Sequence, residues 1–211
     1  MAKLNEFFYY SLITTTKPFF SFPLNYKINV VGKENLPKGR AILVSNHSSN
    51  LDAPFEIIGL QKRIYHLSKH FIGNQGYSHF SFSKVFMESM GHILLENEEL
   101  KSRHLKKIYC LLEQEKYFGI FPEGTRSEDG KISNLYPGLA KISYYSKAPI
   151  VPVIIKGTYE IWPKSQKLPK LHGNVVITVG KQIPAPKTKS EIPNLMEIVK
   201  LEMERLFEGE N

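Results

Sequence analysis

Residues 41–52 read Ala41-Ile42-Leu43-Val44-Ser45-Asn46-His47-Ser48-Ser49-Asn50-Leu51-Asp52. Four consecutive apolar residues make a short strand buried on both faces, as in the middle of a parallel sheet. The polar run that follows ends the strand. Asn50 or Asp52 is placed to cap a helix that takes Pro54 in its first turn and continues through Phe55, Ile58 and Gly59. Strand, loop and helix in that order point to an α/β layer fold with the loop at a strand end.

The rest of the chain repeats the alternation. Pro18 and Pro23 precede a strand-like run from Ile28 to Val31, which stops at Gly32. Glu98 to Lys116 has helical spacing, Tyr117 to Phe121 reads as a strand, and a loop follows through Pro122-Glu123-Gly124-Thr125. Leu135 to Ser146 is expected to be helical and Ile150 to Ile155 a strand interrupted by Pro152. Val175 to Val179 is expected to be a further strand, and Ser190 to Phe207 a closing amphipathic helix with Leu195, Ile198, Val199 and Leu206.

A chain of 211 residues with 42% hydrophobic content can bury one good core, and no break in composition demands two. The net charge of +8 calls for an anionic partner, and the scattered lysines carry no nucleic-acid-binding signature. The one cysteine, Cys110, excludes an internal disulfide and falls among Leu105, Ile108, Tyr109 and Leu112, so it is expected to be a small buried helix residue. No stretch approaches the roughly 20 apolar residues of a spanning helix. Residues 1–24 are nonetheless rich in Phe, Tyr and Leu around Lys3 and Lys17, without the pattern of a signal peptide. They suit either an interfacial membrane anchor or a helix packed on the domain.

Two clusters carry chemistry. His47 and Asp52 lie five positions apart, and a loop turning into a helix can fold the carboxylate back onto the imidazole, leaving the second ring nitrogen as a base. By itself the pair is equally a surface histidine beside a helix-capping aspartate. The second cluster is Phe121-Pro122-Glu123-Gly124-Thr125-Arg126-Ser127. Gly124 allows close backbone approach, Arg126 offers a planar fork to phosphate, and Glu123 can hold a hydroxyl or steady the arginine. Alone it also suits an ordinary polar turn. His66, His70, His79, His92, His104 and His172 stand outside both clusters and are expected to be surface or hydrogen-bond-satisfied histidines, with no metal site.

In order and spacing the two clusters resemble the blocks of the glycerolipid acyltransferase family, whose best-known members are the 1-acyl-sn-glycerol-3-phosphate acyltransferases. His47 and Asp52 match its His-x-x-x-x-Asp block, and Phe121 to Ser127 its Phe-Pro-Glu-Gly-Thr-Arg-Ser block. Ile150-Val151-Pro152-Val153 matches a later apolar block, and Gly138 the glycine before it. The resemblance spans roughly residues 30–180. It implies a mixed, mostly parallel sheet flanked by helices, with residues 1–27 as an N-terminal membrane-docking helical segment and 28–211 as the acyltransferase domain. It further implies transfer of a fatty acyl group from acyl-CoA or an acidic acyl-carrier protein to the free hydroxyl of 1-acyl-sn-glycerol-3-phosphate. The product is phosphatidic acid, and no cofactor takes part.

In this reading His47 and Asp52 are catalytic, and Glu123, Gly124, Thr125 and Arg126 bind substrate. The protein sits monotopically on the cytoplasmic face of an anionic membrane. Ser48 and Ser49 beside the histidine make an acyl-serine route conceivable, but the resemblance implies direct transfer. Two departures concern the acceptor: Asn97 stands where the second block carries arginine, in Gly91-His92-Ile93-Leu94-Leu95-Glu96-Asn97, and Tyr136 replaces a lysine. They keep open another lysophospholipid or a non-phosphorylated acceptor, and, in another class, an inactive membrane-bound lipid-binding module. Lys101, Arg103 and His104, on a helix face expected to be solvated, could replace the missing cation.

Overall fold

The computed structural model describes residue 11 and residues 25–69, 92–95 and 100–209. Residues 1–10 and 12–24 of the aromatic N-terminal segment, His70, His79 and, of the second block, Gly91, Glu96 and Asn97 lie outside these residues. The strands are β1 (Tyr26–Val31), β2 (Ala41–Ser45), β3 (Ile64–Lys69), β4 (Ile93–Leu95), β5 (Tyr117–Ile120), β6 (Ile150–Lys156) and β7 (Gly173–Val179). The helices are α1 (Asp52–Leu60), α2 (Ser102–Glu113), α3 (Gly138–Ser146), a short α4 (Thr158–Ile161) and α5 (Ile192–Glu208). One seven-stranded sheet runs in the order β1-β7-β6-β2-β5-β3-β4. Every pairing is parallel except β6 with β7. The mixed, mostly parallel sheet between helices is therefore the fold.

β2 sits in the middle, and all five of its residues are buried. Its side chains alternate between two cores. Ile42 and Val44 join Ile108, Leu112, Leu139, Val199 and Met203 under α2, α3 and α5. Ala41 and Leu43 join Phe55, Leu60, Val151, Val175 and Ile177 under α1. Gly59 lets α1 approach β7, since a Cβ there would come 2.5 Å from Ile177 Cδ1.

Several boundaries differ from expectation for identifiable reasons. Neither Asn50 nor Asp52 caps α1: Leu51 occupies the cap position without a side-chain bond, and Asp52 is the first helical residue. The Asp52 carboxylate is engaged elsewhere. α3 starts at Gly138 and not at Leu135, because Pro137 disfavours helical backbone at Tyr136. α2 stops at Glu113, as Glu115 takes a left-handed φ of 57°. Pro152 does not interrupt β6. Its carbonyl accepts the Gly180 N–H at 2.8 Å, so its missing donor falls between the Val153–Val179 ladder pair and the Ile150–Ile183 bridge.

Cys110 is exposed, not buried. Two residues along a helix are about 200° around it, so burying Ile108 and Leu112 turns Cys110 to the opposite face. His104 departs the other way: it is buried, and its Nδ1 accepts the Lys101 N–H at 3.0 Å, closing the first turn of α2. Strands β3 and β4 were not expected as strands from the sequence.

Candidate active site

β2, β5 and β6 run in one direction, so the loops after them share one end of the sheet. The first of these loops carries Asn46 and His47. The buried Asn46 side chain pairs with the Ile155 backbone on β6, Nδ2 donating to the carbonyl at 3.0 Å and Oδ1 accepting the N–H at 2.7 Å. This pair of hydrogen bonds fixes where the chain leaves the sheet. Sequence reading gave Asn46 no role, because its partner lies 109 positions away.

Directly after it, His47 Nδ1 lies 2.8 Å from Asp52 Oδ2. The same oxygen accepts the backbone N–H groups of Ser48 and Ser49, each at 2.7 Å. Asp52 is fully buried, and its position in the first turn of α1 sets its negative charge against the positive end of the helix dipole. Three donors on one carboxylate oxygen hold the imidazole in a fixed orientation with Nδ1 as its donor. Nε2 is then the nitrogen left for a substrate proton, on a side chain 23% exposed. The ring stacks on Phe121, with centroids 4.3 Å apart and planes 19° apart.

The neighbouring serines are committed to structure. Ser48 Oγ contacts Thr158 Oγ1 at 3.2 Å, Ser49 Oγ accepts the Leu51 N–H at 3.2 Å, and both side chains are buried.

The Phe121–Ser127 loop is bonded to the His47 loop at two points. Glu123 Oε1 accepts the His47 N–H at 2.8 Å, and the Ser127 N–H donates to the His47 carbonyl at 2.7 Å. Glu123 Oε2 accepts both the N–H and the hydroxyl of Ser133, at 3.0 and 2.9 Å. Both oxygens of this buried carboxylate are thus occupied by protein donors, and it braces the His47 loop. It does not contact Arg126. That guanidinium forms no hydrogen bond or ion pair with the described residues. Gly124 has φ +71° and lies under Tyr136, where a Cβ would come 2.7 Å from Cε2. Thr125 is exposed, and Tyr136 is exposed at the same rim.

Behind Phe121 lies a group of residues that the sequence did not mark. His66, expected on the surface or satisfied, is fully buried, and neither ring nitrogen forms a hydrogen bond. Its ring stacks on Phe121 at 5.4 Å and on His92 at 5.8 Å, and Nε2 lies 3.5 Å from Glu56 Oε2. Gly119, its neighbour across the ladder, makes the room: a Cβ there would come 2.6 Å from the imidazole. Glu56 is also fully buried and accepts the Ser45 hydroxyl at 2.8 Å. Burial pushes its carboxyl up to about 8, with Asp52 adding to the rise against the Ser45 hydrogen bond. Burial likewise holds His66 well below its ordinary 6.5, with His92 and His47 contributing, and lowers His92 to about 4. A polar layer of low net charge therefore backs the stack on which His47 rests.

Comparison with known proteins identifies the family and the fold. The Acyltransferase family matches residues 27–156, which include both loops. A chloroplastic 1-acyl-sn-glycerol-3-phosphate acyltransferase of Arabidopsis thaliana is 33% identical over 77% of this chain and 45% of its own length. One from Brassica napus is 31% identical over 75% of this chain and 45% of its own. The chain therefore spans about half the length of these relatives. The crystal structure of the 1-acyl-sn-glycerophosphate acyltransferase PlsC from Thermotoga maritima superposes with a TM-score of 0.76 at 26% identity. That match covers 97% of this chain and 82% of the other. With more than half of its residues matched and the paired loops at the strand ends of the expected sheet, the chain belongs to the Acyltransferase family.

Proposed function

We propose that this protein transfers a fatty acyl group from acyl-CoA or acyl-carrier protein to the free hydroxyl of 1-acyl-sn-glycerol-3-phosphate, forming phosphatidic acid. The observation that carries the proposal is the 2.8 Å contact between His47 Nδ1 and the Asp52 oxygen that accepts three hydrogen bonds, which leaves Nε2 to act as a base. His47 Nε2 takes the proton of the acceptor hydroxyl as that oxygen attacks the thioester carbonyl carbon. A C–O bond forms, the C–S bond breaks, and the proton passes from the imidazolium to the departing thiolate. Asp52 stabilises the transient imidazolium without taking the proton itself. Ser48 and Ser49 have their hydroxyls engaged, which favours direct transfer over an acyl-serine. Arg126, with no partner among the described residues, is the guanidinium offered to the acceptor phosphate. Gly124 and Thr125 line the approach, while Glu123 supports the site through the His47 backbone.

The proposed setting is the cytoplasmic face of an anionic membrane, with residues 1–27 as a monotopic anchor. No helix among the described residues is long and apolar enough to cross a bilayer. The test is thiol release with lysophosphatidate. His47→Ala lowers kcat by about 10²- to 10⁴-fold with the unfolding transition unchanged. Arg126→Lys raises KM and lowers kcat for the phosphorylated acceptor while sparing a non-phosphorylated one. Near-normal turnover by folded His47→Ala removes the base from the mechanism, and equal loss on both acceptors removes the phosphate role of Arg126. Turnover of a non-phosphorylated acceptor alone would favour the alternative acceptor class suggested by Tyr136.

A further inference from the structure

The rim that carries His47 is also crossed by the chain between α4 and β7. It reads Trp162-Pro163-Lys164-Ser165-Gln166-Lys167-Leu168-Pro169-Lys170-Leu171-His172, with three lysines and no carboxylate. Hydrogen bonds give it a built shape. The Lys170 N–H donates to the Ile161 carbonyl at 2.9 Å and closes the loop at its base. The Trp162 indole N–H donates to the Gln166 carbonyl at 3.0 Å, and the Tyr26 hydroxyl donates to the Lys170 carbonyl. A compact loop whose ends meet and whose interior is bonded is an Ω-loop. At its outer side Leu168 is 79% and Leu171 64% exposed, the first being the barest of the large apolar residues described.

The loop is tied to the site. Lys164 Nζ pairs with Glu128 Oε1 at 2.9 Å, and the Tyr159 hydroxyl donates to the Glu128 carbonyl at 2.7 Å, just after the Phe121–Ser127 block. β7 runs against β6, so its start at Gly173 lies at the end where β2, β5 and β6 finish. Tyr26, which opens β1, is in register with Gly173, so β1 also begins at this rim.

Two bare leucines on either side of Pro169, among cations, do not offer the roughly 800 Å² that a stable protein interface takes from each partner. Inserting them into a bilayer needs no shape complementarity, and the lysine stems can follow them while the ammonium groups stay among phosphates. We propose that residues 162–172 form a docking loop for an anionic lipid surface, with Leu168 and Leu171 entering the acyl region and Lys167 and Lys170 meeting the headgroups. Docked in this way, the loop sets the His47 rim against the lipid. The lipid nature of the acceptor rests on the function proposed above; vesicle binding by the loop does not depend on turnover.

The experiment uses the full chain and vesicles of phosphatidylcholine with or without phosphatidylglycerol. Trp162 is the one tryptophan of the sequence, so its emission reports on the loop without labelling. Brominated lipid is expected to quench it when anionic vesicles are present. Leu168→Ser/Leu171→Ser is expected to weaken sedimentation with these vesicles by about tenfold and to abolish the quenching. Lys167→Gln/Lys170→Gln should weaken binding to anionic vesicles by about tenfold and leave binding to neutral ones unchanged. Both variants should retain turnover of a short-chain, water-soluble acceptor. Unquenched Trp162 on vesicles that nevertheless bind the protein overturns the proposal. So does unchanged vesicle binding by the leucine variant, including the case where that variant has instead lost binding to an acidic acyl-carrier protein. Absence of thiol release by the wild type would sink the proposed activity and leave the vesicle result standing.

Discussion

Asp52 shows how much chemistry one oxygen can organise. Its Oδ2 accepts from an imidazole and two peptide groups, so an amide replacement keeps the shape but removes the charge that, in the proposed mechanism, stabilises an imidazolium. Asp52→Asn should lower kcat by about 10²-fold or more, with KM little changed; steady-state thiol release checks this, and normal kcat in the folded variant excludes the role. The buried layer behind it predicts a pH-dependent stability. The Glu56 carboxyl is raised from 4.5 to about 8, so the native state holds a proton that the unfolded chain releases. Its contribution is complete below pH 4.5 and is lost as pH rises through about 8. His66 and His92 are lowered, so theirs is complete above 6.5 and lost as pH falls. From these groups stability should peak near pH 6.5. Between 6.5 and 8 it should fall by about 2 kcal/mol, at about 1.4 kcal/mol per proton per pH unit. Urea unfolding of wild type and Glu56→Gln at both pH values tests this; equal slopes would show that Glu56 is not the group responsible. The sequence made the His47–Asp52 pair visible because both belong to one short loop. It hid Glu56 and His66 because each is read against its own neighbours, while their burial comes from distant strands.

At the scale of elements, β2 and the helix after it were legible because an unbroken apolar run and a proline in a first turn are local signals. β3 was not, since Ile64-Tyr65-His66-Leu67 mixes polar and apolar residues without a clean period, and a buried imidazole looks like a surface one. Gly119 is the mark β3 leaves on β5. Gly119→Ala should destabilise the protein by about 1–3 kcal/mol, because a Cβ has the His66 ring at 2.6 Å and Ile64 Cγ2 at 2.7 Å. In a His66→Ala background the same change should cost less, with the Ile64 contact remaining. A double-mutant cycle from denaturant midpoints measures the difference, and additive effects would show that the ring is not what the methyl group meets.

Across the whole molecule, alternation of strands and helices led to the layered sheet, and local cues did not reveal strand order or the reversal of β7. Those depend on which surfaces the helices can cover, which only the assembled sheet decides. The proposed division of labour between a membrane-facing segment and the site predicts that a protein lacking residues 1–24 binds vesicles more weakly yet retains turnover of a water-soluble acceptor. Sedimentation and thiol release on the same preparation check it, and unchanged vesicle binding would reject the anchor. The reversal of β7 and β1 has one further consequence. It gathers the starts of both strands and the ends of β2, β5 and β6 at a single edge, so that, with the docking and activity proposed above, a lipid acceptor would reach the site by lateral diffusion. Velocity should then follow the acceptor's mole fraction within the lipid, and diluting the surface with inert phosphatidylcholine at constant bulk acceptor concentration should slow the enzyme.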